Sequence, residues 1–445
     1  MPLAGPDQER LTVAKQLVVE PAGARALRGR LRAPGDKSIS HRALLIAARA
    51  HGRTRIRGLS EGEDVHHTLE AVVALGAGAE RSGAELYIDG GPARLHEPQA
   101  VIDVGNSGTG IRLLAGFVAA LDALVVLQGD GSIARRPMDR VAAPLRLMGA
   151  HVDGRQGGRL PPLVVRGGQL HGIDYTLPVP SAQVKSAVLF AGLGAAGVTT
   201  VHEPVPTRAH TEEMLAAAGA DVEVVPAGTG FTVALRASAL HGSEIEVPAD
   251  PSQAAFWAVA ACITPDSDLV LEDVYVGRGR GGFVAVLRRM GARLELLNED
   301  PARQTADIHV RAGPLVATSV SGEEVASLID EIPVLSVAAA FAEGMTTFSD
   351  AAELRVKESD RVATTVELLQ ALGVRAEPAT DGLSVVGGGG APLPGGVVAS
   401  YGDHRIAMAG AVAALRATGP VTINGWDATA TSYPGFAEDL RACLR

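Results

Sequence analysis

Cysteine and aromatic residues are scarce in this chain, with two cysteines and 3% Phe, Trp and Tyr among 445 residues. Cys262 and Cys443 lie far apart with no Cys-x-x-Cys spacing, which argues against a disulfide framework or a structural zinc site and fits a reducing compartment. Cys262 falls in the apolar run Phe256 to Ile263 and reads as a plain buried thiol. Long apolar runs are also missing: Asp122 interrupts the stretch from Leu113 to Leu127, and none meets the ~20 residues of a membrane span. Basic charge is in deficit, with a formal charge of −10 and pI near 5.7, so the overall field that attracts nucleic-acid backbones is lacking. The first fifteen residues carry Asp7, Glu9 and Arg10 without an apolar core, unlike a secretory signal. A cytoplasmic chain with a flexible tail over residues 1–15 is expected.

What the chain has is Ala-rich apolar sequence, 47% hydrophobic overall, in a long repeat. Six polar openings each precede a helix-like stretch: Asp36 to Arg42, Asn106 to Arg112, Ser181 to Lys185, Asp250 to Gln253, Asp330 to Pro333 and Asp403 to Ala407. They recur roughly every 70 to 80 residues. Each opens on Asp, Asn or Ser, whose short side-chain oxygen can cap a helix N-terminus. A second marker interleaves with the first, a helix-like stretch ending in Gly76, Gly149, Gly219, Gly291 or Gly373 and followed by alternating apolar residues. Gly just past a helix supplies the left-handed C-terminal position. Each unit reads strand, helix, strand, helix, strand, strand, so the fold class is α/β. Three units per domain gives two similar domains, with chain crossings near 32–36 and 247–251, where Pro, Gly and Asp break the pattern.

Helix N-termini present unpaired amides and the positive end of the helix dipole, which suits anions. The basic residues near the openings point the same way. Lys37, Ser38 and Arg42 sit within two turns of one helix start, and Gly108 and Gly110 remove side-chain bulk at another. Arg135 and Arg136 precede a stiff Pro137, although an exposed basic turn explains that segment equally well in isolation. Lys357 and Arg361 are four apart, so on a helix they share a face with Glu358 adjacent; a solvated charged helix is the alternative. With Asp330, Asp403 and Arg405 this segment supplies carboxylates among cations, as proton transfer beside a bound anion requires.

Together Pro34-Gly-Asp-Lys-Ser-Ile-Ser-His-Arg42, Gly105-Asn-Ser-Gly-Thr-Gly110, Arg135-Arg-Pro-Met138, Ser181-Ala-Gln-Val-Lys-Ser186, Arg355-Val-Lys-Glu-Ser-Asp-Arg361 and Asp403-His-Arg-Ile-Ala-Met408 resemble the 3-phosphoshikimate 1-carboxyvinyltransferase (EPSP synthase) family, from about Lys15 onward. The resemblance implies an inside-out α/β barrel of two domains, each of three βαβαββ repeats: 36–247, and 16–35 with 248–445. It implies a cofactor-free and metal-free monomer that moves enolpyruvate from phosphoenolpyruvate to the 5-hydroxyl of shikimate 3-phosphate in aromatic amino acid biosynthesis. By position, Lys37, Ser38, Arg42, Ser181, Ala182, Gln183, Arg208, Asp330 and Lys357 match residues around shikimate 3-phosphate. Lys37, Gly108, Arg136, Gln183, Arg361 and Arg405 match those around phosphoenolpyruvate. Asp330, Glu358 and Lys37 match the catalytic groups, Asp330 accepting the hydroxyl proton and Glu358 exchanging one with the methylene. The two substrates carry about six negative charges, answered by Lys37, Arg42, Arg136, Arg208, Lys357, Arg361 and Arg405. The herbicide glyphosate would fit beside Gly108.

Two departures from the family pattern stand out. Thr429 to Pro434 has no lysine where many relatives carry one, and Ala182 stands where some have a second serine. The sister family acting on a UDP-amino sugar, UDP-N-acetylglucosamine enolpyruvyl transferase, uses a loop cysteine, whereas Gly129 to Arg136 contains none. A dinucleotide-dependent oxidoreductase would explain Gly277-Arg-Gly-Arg-Gly-Gly282 as a Gly-x-Gly-x-x-Gly, but this lies late in the chain, where a turn suffices. Gly387 to Gly390 lacks the lysine of a P-loop, and His66-His67 has no partner at metal-ligand spacing.

Overall fold

The computed structural model describes residues 14–445, so nearly all of the expected tail lies outside the described residues. The helix-opening rhythm appears as six buried helices: Lys37–Arg49, Gly108–Ala119, Ala182–Gly192, Pro251–Ile263, Ile332–Phe341 and His404–Ala414. Asp36, Ser181, Asp250 and Asp403 cap four of them, each accepting from a backbone N–H in the first turn. Two openings differ from expectation. Ser107, not Asn106, caps the second helix, while the Asn106 side chain donates to Asp130 at 2.7 Å. Asp330 caps nothing: a 3-10 turn over Ile329–Glu331 leads into a helix with Pro near its first position, where one N–H that would need a cap is absent. The five interleaved glycines all adopt positive φ.

These helices are Ala-rich because they have no solvent face. Every residue of Pro251–Ile263 is buried, and a Cβ added at Gly116 would lie 2.1 Å from the Ala187 carbonyl of the neighbouring helix. Sheets form the outer layer, with strands such as Glu85–Gly90 alternating between buried and half-buried positions. The sheets remain separate and open rather than closing into a barrel. Five have four strands with one plan, a parallel pair followed by two antiparallel partners; in one, Ile102–Asp103 runs parallel to Leu124–Gln128, then Leu160–Arg166 and His151–Gly154 follow. In the sixth unit, Gly396–Ala399 and Val421–Asn424 form the parallel pair, and Gln16–Val19 supplies the antiparallel strand.

At the crossings the leading strands are exchanged. Arg28–Leu31 precedes the helix Lys37–Arg49 yet pairs with Asp268–Tyr275, and Glu244–Glu246 precedes Pro251–Ile263 yet pairs with Gly52–Arg57. The two segments between them are stitched together, Asp36 N donating to Pro248 O and Asp250 N to Pro34 O, each at 2.8 Å. Two hydrophobic cores result. One gathers residues from Ile39 to Val247 with Tyr275. The other gathers Val19 to Ala33 and Ala249 to Cys443. Among the described residues, no helix is long and apolar enough to cross a membrane. Cys262 is buried, and burial pushes its thiol up to about 12.

Candidate active site

Helix N-termini, those at Lys37, Gly108, Ala182, Arg361 and His404 among them, border a cavity of about 500 Å³ between the two cores. The first half contributes Lys37, Ser38, Gly108, Arg136, Ser181, Ala182, Gln183 and Arg208; the second contributes Asp330, Lys357, Glu358, Arg361 and Arg405. Basic side chains outnumber carboxylates on its wall in a chain whose formal charge is −10. The site is a local reversal of the molecule's charge.

Arg361 organises the carboxylates. Its guanidinium donates to Asp330 at 3.0 Å, to Glu358 at 2.5 Å and to Asp403 at 2.8 Å. The last contact ties it to the capping residue of the helix His404–Ala414. Arg208 donates to the other Asp330 oxygen at 2.7 Å, Lys357 stands 3.3 Å away, and Arg405 donates to the Asp330 carbonyl at 3.0 Å. Burial alone raises the Asp330 carboxyl, but Lys357, Arg405, Arg208 and Arg361 outweigh it and hold Asp330 well below the usual carboxylate range. Glu358 behaves likewise: burial raises it, and Arg361 and Arg136, the latter at 3.3 Å, bring it well below.

Lys357 and Arg361 do not share a helix as their spacing suggested. The 3-10 helix Ala352–Val356 ends at Lys357, and Asp360 caps a new helix starting at Arg361. The two cations meet on Asp330 instead.

In the first half, Lys37 pairs with Asp64 at 2.9 Å. Gln183 accepts from Arg112 at 2.9 Å and donates to Thr109 at 3.0 Å. Arg42 alone among the matched residues does not border the cavity. It is 2% exposed and donates to Ser38 O, Thr211 Oγ1 and Ser186 Oγ, supporting Ser38 from beneath. Burial lowers its guanidinium to about 10, with Asp36 and Glu212 opposing and Arg208 and Arg280 adding to the effect.

Asp64, Arg112, Arg280 and His404 also border the cavity, though the motifs alone give them no role. Arg112 and His404 fall inside quoted motifs. Asp64 carries no signal beyond an acid in a helix first turn, and Arg280 was hidden in a Gly-rich turn. Arg280 is 3% exposed and donates to Asp36 at 2.9 Å and Asp250 at 2.7 Å, binding together the capping residues at the two crossings.

Fold and cleft together define a two-domain α/β enzyme built to hold small polyanions between two carboxylates and many cations. The sequence matches the family described as EPSP synthase (3-phosphoshikimate 1-carboxyvinyltransferase) over residues 21–440. It is 50% identical over 428 residues to the 3-phosphoshikimate 1-carboxyvinyltransferase of Halorhodospira halophila, covering 95% of each chain. It is 48% identical over 430 residues to that of Syntrophotalea carbinolica, covering 96% of this chain and 98% of the relative. An EPSP synthase structure from Acinetobacter baumannii superposes with a TM-score of 0.85 at 43% identity, covering 96% of this chain and 98% of that one. The enolpyruvyl transferase NikO from Streptomyces tendae shares the fold at TM-score 0.74 and 18% identity, covering 97% and 98%. The chain belongs to the EPSP synthase family.

Proposed function

We propose that the protein transfers the enolpyruvyl group of phosphoenolpyruvate to the 5-hydroxyl of shikimate 3-phosphate, releasing phosphate and forming 5-enolpyruvylshikimate 3-phosphate. The observation that carries this reading is the placement of Asp330 and Glu358 on the two terminal nitrogens of Arg361. Proton removal at a hydroxyl and proton delivery at an alkene carbon need two carboxyl groups at one small site, and a shared guanidinium fixes their separation.

Shikimate 3-phosphate lies against Lys37, Ser38, Ser181, Ala182, Gln183, Arg208 and Lys357, and phosphoenolpyruvate against Lys37, Gly108, Arg136, Gln183, Arg361 and Arg405. Their oxyanions compete with Asp330 and Glu358 for the same cations. As the cations turn to substrate, both carboxylates lose the charges that hold them ionised, and their proton affinities rise. Glu358, having taken a proton from solvent as its affinity rises, protonates the methylene carbon, which makes the neighbouring carbon electrophilic. Asp330 takes the hydroxyl proton as the oxygen attacks. Glu358 recovers its proton from the methyl group as phosphate leaves, and the departing phosphate carries away the proton held by Asp330. Enclosure between the two halves aligns hydroxyl with alkene and excludes water.

The domains run over 36–247 and over 16–35 with 248–445, a division supported by the two cores. A cytoplasmic monomer is part of the same reading; the two free buried cysteines suit a reducing compartment. Mixing the protein with phosphoenolpyruvate and shikimate 3-phosphate tests the proposal: phosphate release and an enol ether product of the expected mass are the positive result. Absence of turnover, or turnover with a UDP-amino sugar instead, overturns it.

A further inference from the structure

His404 opens the helix His404–Ala414, is 3% exposed and borders the cavity. Its Nδ1 stands 3.1 Å from Thr431 Oγ1, which itself donates to the Ala428 carbonyl at 2.9 Å. A hydroxyl has one proton and a carbonyl only accepts. Thr431 must therefore accept from His404, and Nδ1 carries the ring proton. The remaining nitrogen, Nε2, is left as a bare lone pair. It is buried and has no hydrogen-bond partner among the described residues.

Thr431 is held in place from the other half. A Cβ at Gly62 would lie 2.6 Å from the Thr431 carbonyl, so the loop before the helix Glu63–Ala74 presses on the turn Trp426–Thr431. The charged groups facing the imidazole are Lys37 from the first helix, Arg405 from its own, and Glu358 and Arg361 from the segment across the cavity. Burial, then Lys37 and Arg405, keep the ring neutral well below its ordinary value, with Glu358 opposing and Arg361 adding to the effect.

We propose that His404 is a positioning residue of the transfer that takes up a proton on Nε2 when phosphoenolpyruvate fills the cavity, so that an imidazolium faces the bound anion. The inference rests on the phosphoenolpyruvate reading above. Phosphate and carboxylate charges offset Lys37, Arg405 and Arg361, which removes the repulsion that adds to burial in keeping the ring neutral, and the anion itself then favours the charged form. The proton comes from solvent, one N–H bond forms on the Nε2 lone pair, no substrate bond breaks, and the proton returns to solvent with product release.

Ring-nitrogen NMR of the full chain labelled with 15N-histidine, near neutral pH, tests this without a variant in the measured sample; His404→Gln serves to assign the signal. The free protein should show a protonated Nδ1 and a bare Nε2, and saturation with phosphoenolpyruvate should protonate both. Calorimetry in buffers of different ionisation enthalpy should find roughly one more proton taken up by wild type than by His404→Gln, with that difference unchanged in a Glu358→Gln background. Thr431→Val should raise the KM for phosphoenolpyruvate about tenfold while leaving kcat within about threefold. A bare Nε2 in the saturated complex, or a protonated Nε2 in the free protein, overturns the inference and leaves the substrate reading standing. Failure of wild type to bind phosphoenolpyruvate removes both.

Discussion

Gly108 lies so close to Arg136 that a Cβ added to the glycine would sit 2.3 Å from the guanidinium Nη1. Arg136 also borders Glu358 at 3.3 Å, so it cannot yield without disturbing the carboxylate. Gly108→Ala should raise the KM for phosphoenolpyruvate about tenfold, with a smaller change in kcat, and weaken inhibition by glyphosate. Steady-state kinetics with each substrate varied in turn checks this; an unaltered KM and unaltered inhibition would show that Arg136 has room to move.

Asp330→Asn and Glu358→Gln each keep size and remove proton exchange. Each should lower kcat by about 10² to 10⁴, while calorimetric affinities for the substrates change by only a few-fold. A variant that turns over at the wild-type rate has lost nothing the reaction uses, and its residue would leave the proton-transfer scheme.

The ion pairs of Asp330 also carry a stability signature. Its carboxyl titrates well below the ordinary value because Lys357, Arg405, Arg208 and Arg361 overcome the effect of burial. A group with a depressed folded pKa stabilises the protein above its unfolded pKa, and that stabilisation fades as pH falls through the folded one. Wild type should therefore melt above Asp330→Asn near neutrality, with the gap narrowing below about pH 4. A gap independent of pH would assign the difference to packing.

Arg280 neutralises Asp36 and Asp250 at a buried point. Arg280→Met leaves two carboxylates without their partner and should cost about 3–5 kcal/mol in urea unfolding. Arg280→Lys should recover only part of this, because an ammonium lacks the planar fork. Full stability in the Met variant would mean that the crossing tolerates the charges.

Much of the architecture was legible because its signals are local. Asp36, Ser181, Asp250 and Asp403 announce helices by a capping oxygen that acts within one turn, and the glycines that follow helices announce their ends by a positive φ. Lys357 shows where local reasoning fails. Its spacing to Arg361 fits a helix, but Asp360 between them is the stronger cap and starts the helix afresh. Asn106 lost to Ser107 by the same competition between adjacent capping side chains. At the site, Lys37, Arg136, Arg361 and Arg405 stand in recognisable motifs, whereas Asp64 is defined by meeting Lys37 in space and Arg280 by meeting Asp250, 30 positions away, and Asp36, 244 positions away. Arg42 shares the first helix with Lys37 yet turns inward, a choice made by Thr211 and Ser186 rather than by its neighbours in sequence.

The strand exchange at the crossings bears on how the molecule comes apart. If the backbone were severed between Val247 and Ala249, the leading fragment would hold the first core without Tyr275 and two idle strands, Gln16–Val19 and Arg28–Leu31, while the trailing fragment would expose the edge of Asp268–Tyr275 that the second of these covers. Each fragment would thus carry the means of recognising its counterpart, and the two should reassemble from separate solutions by zipping that edge shut.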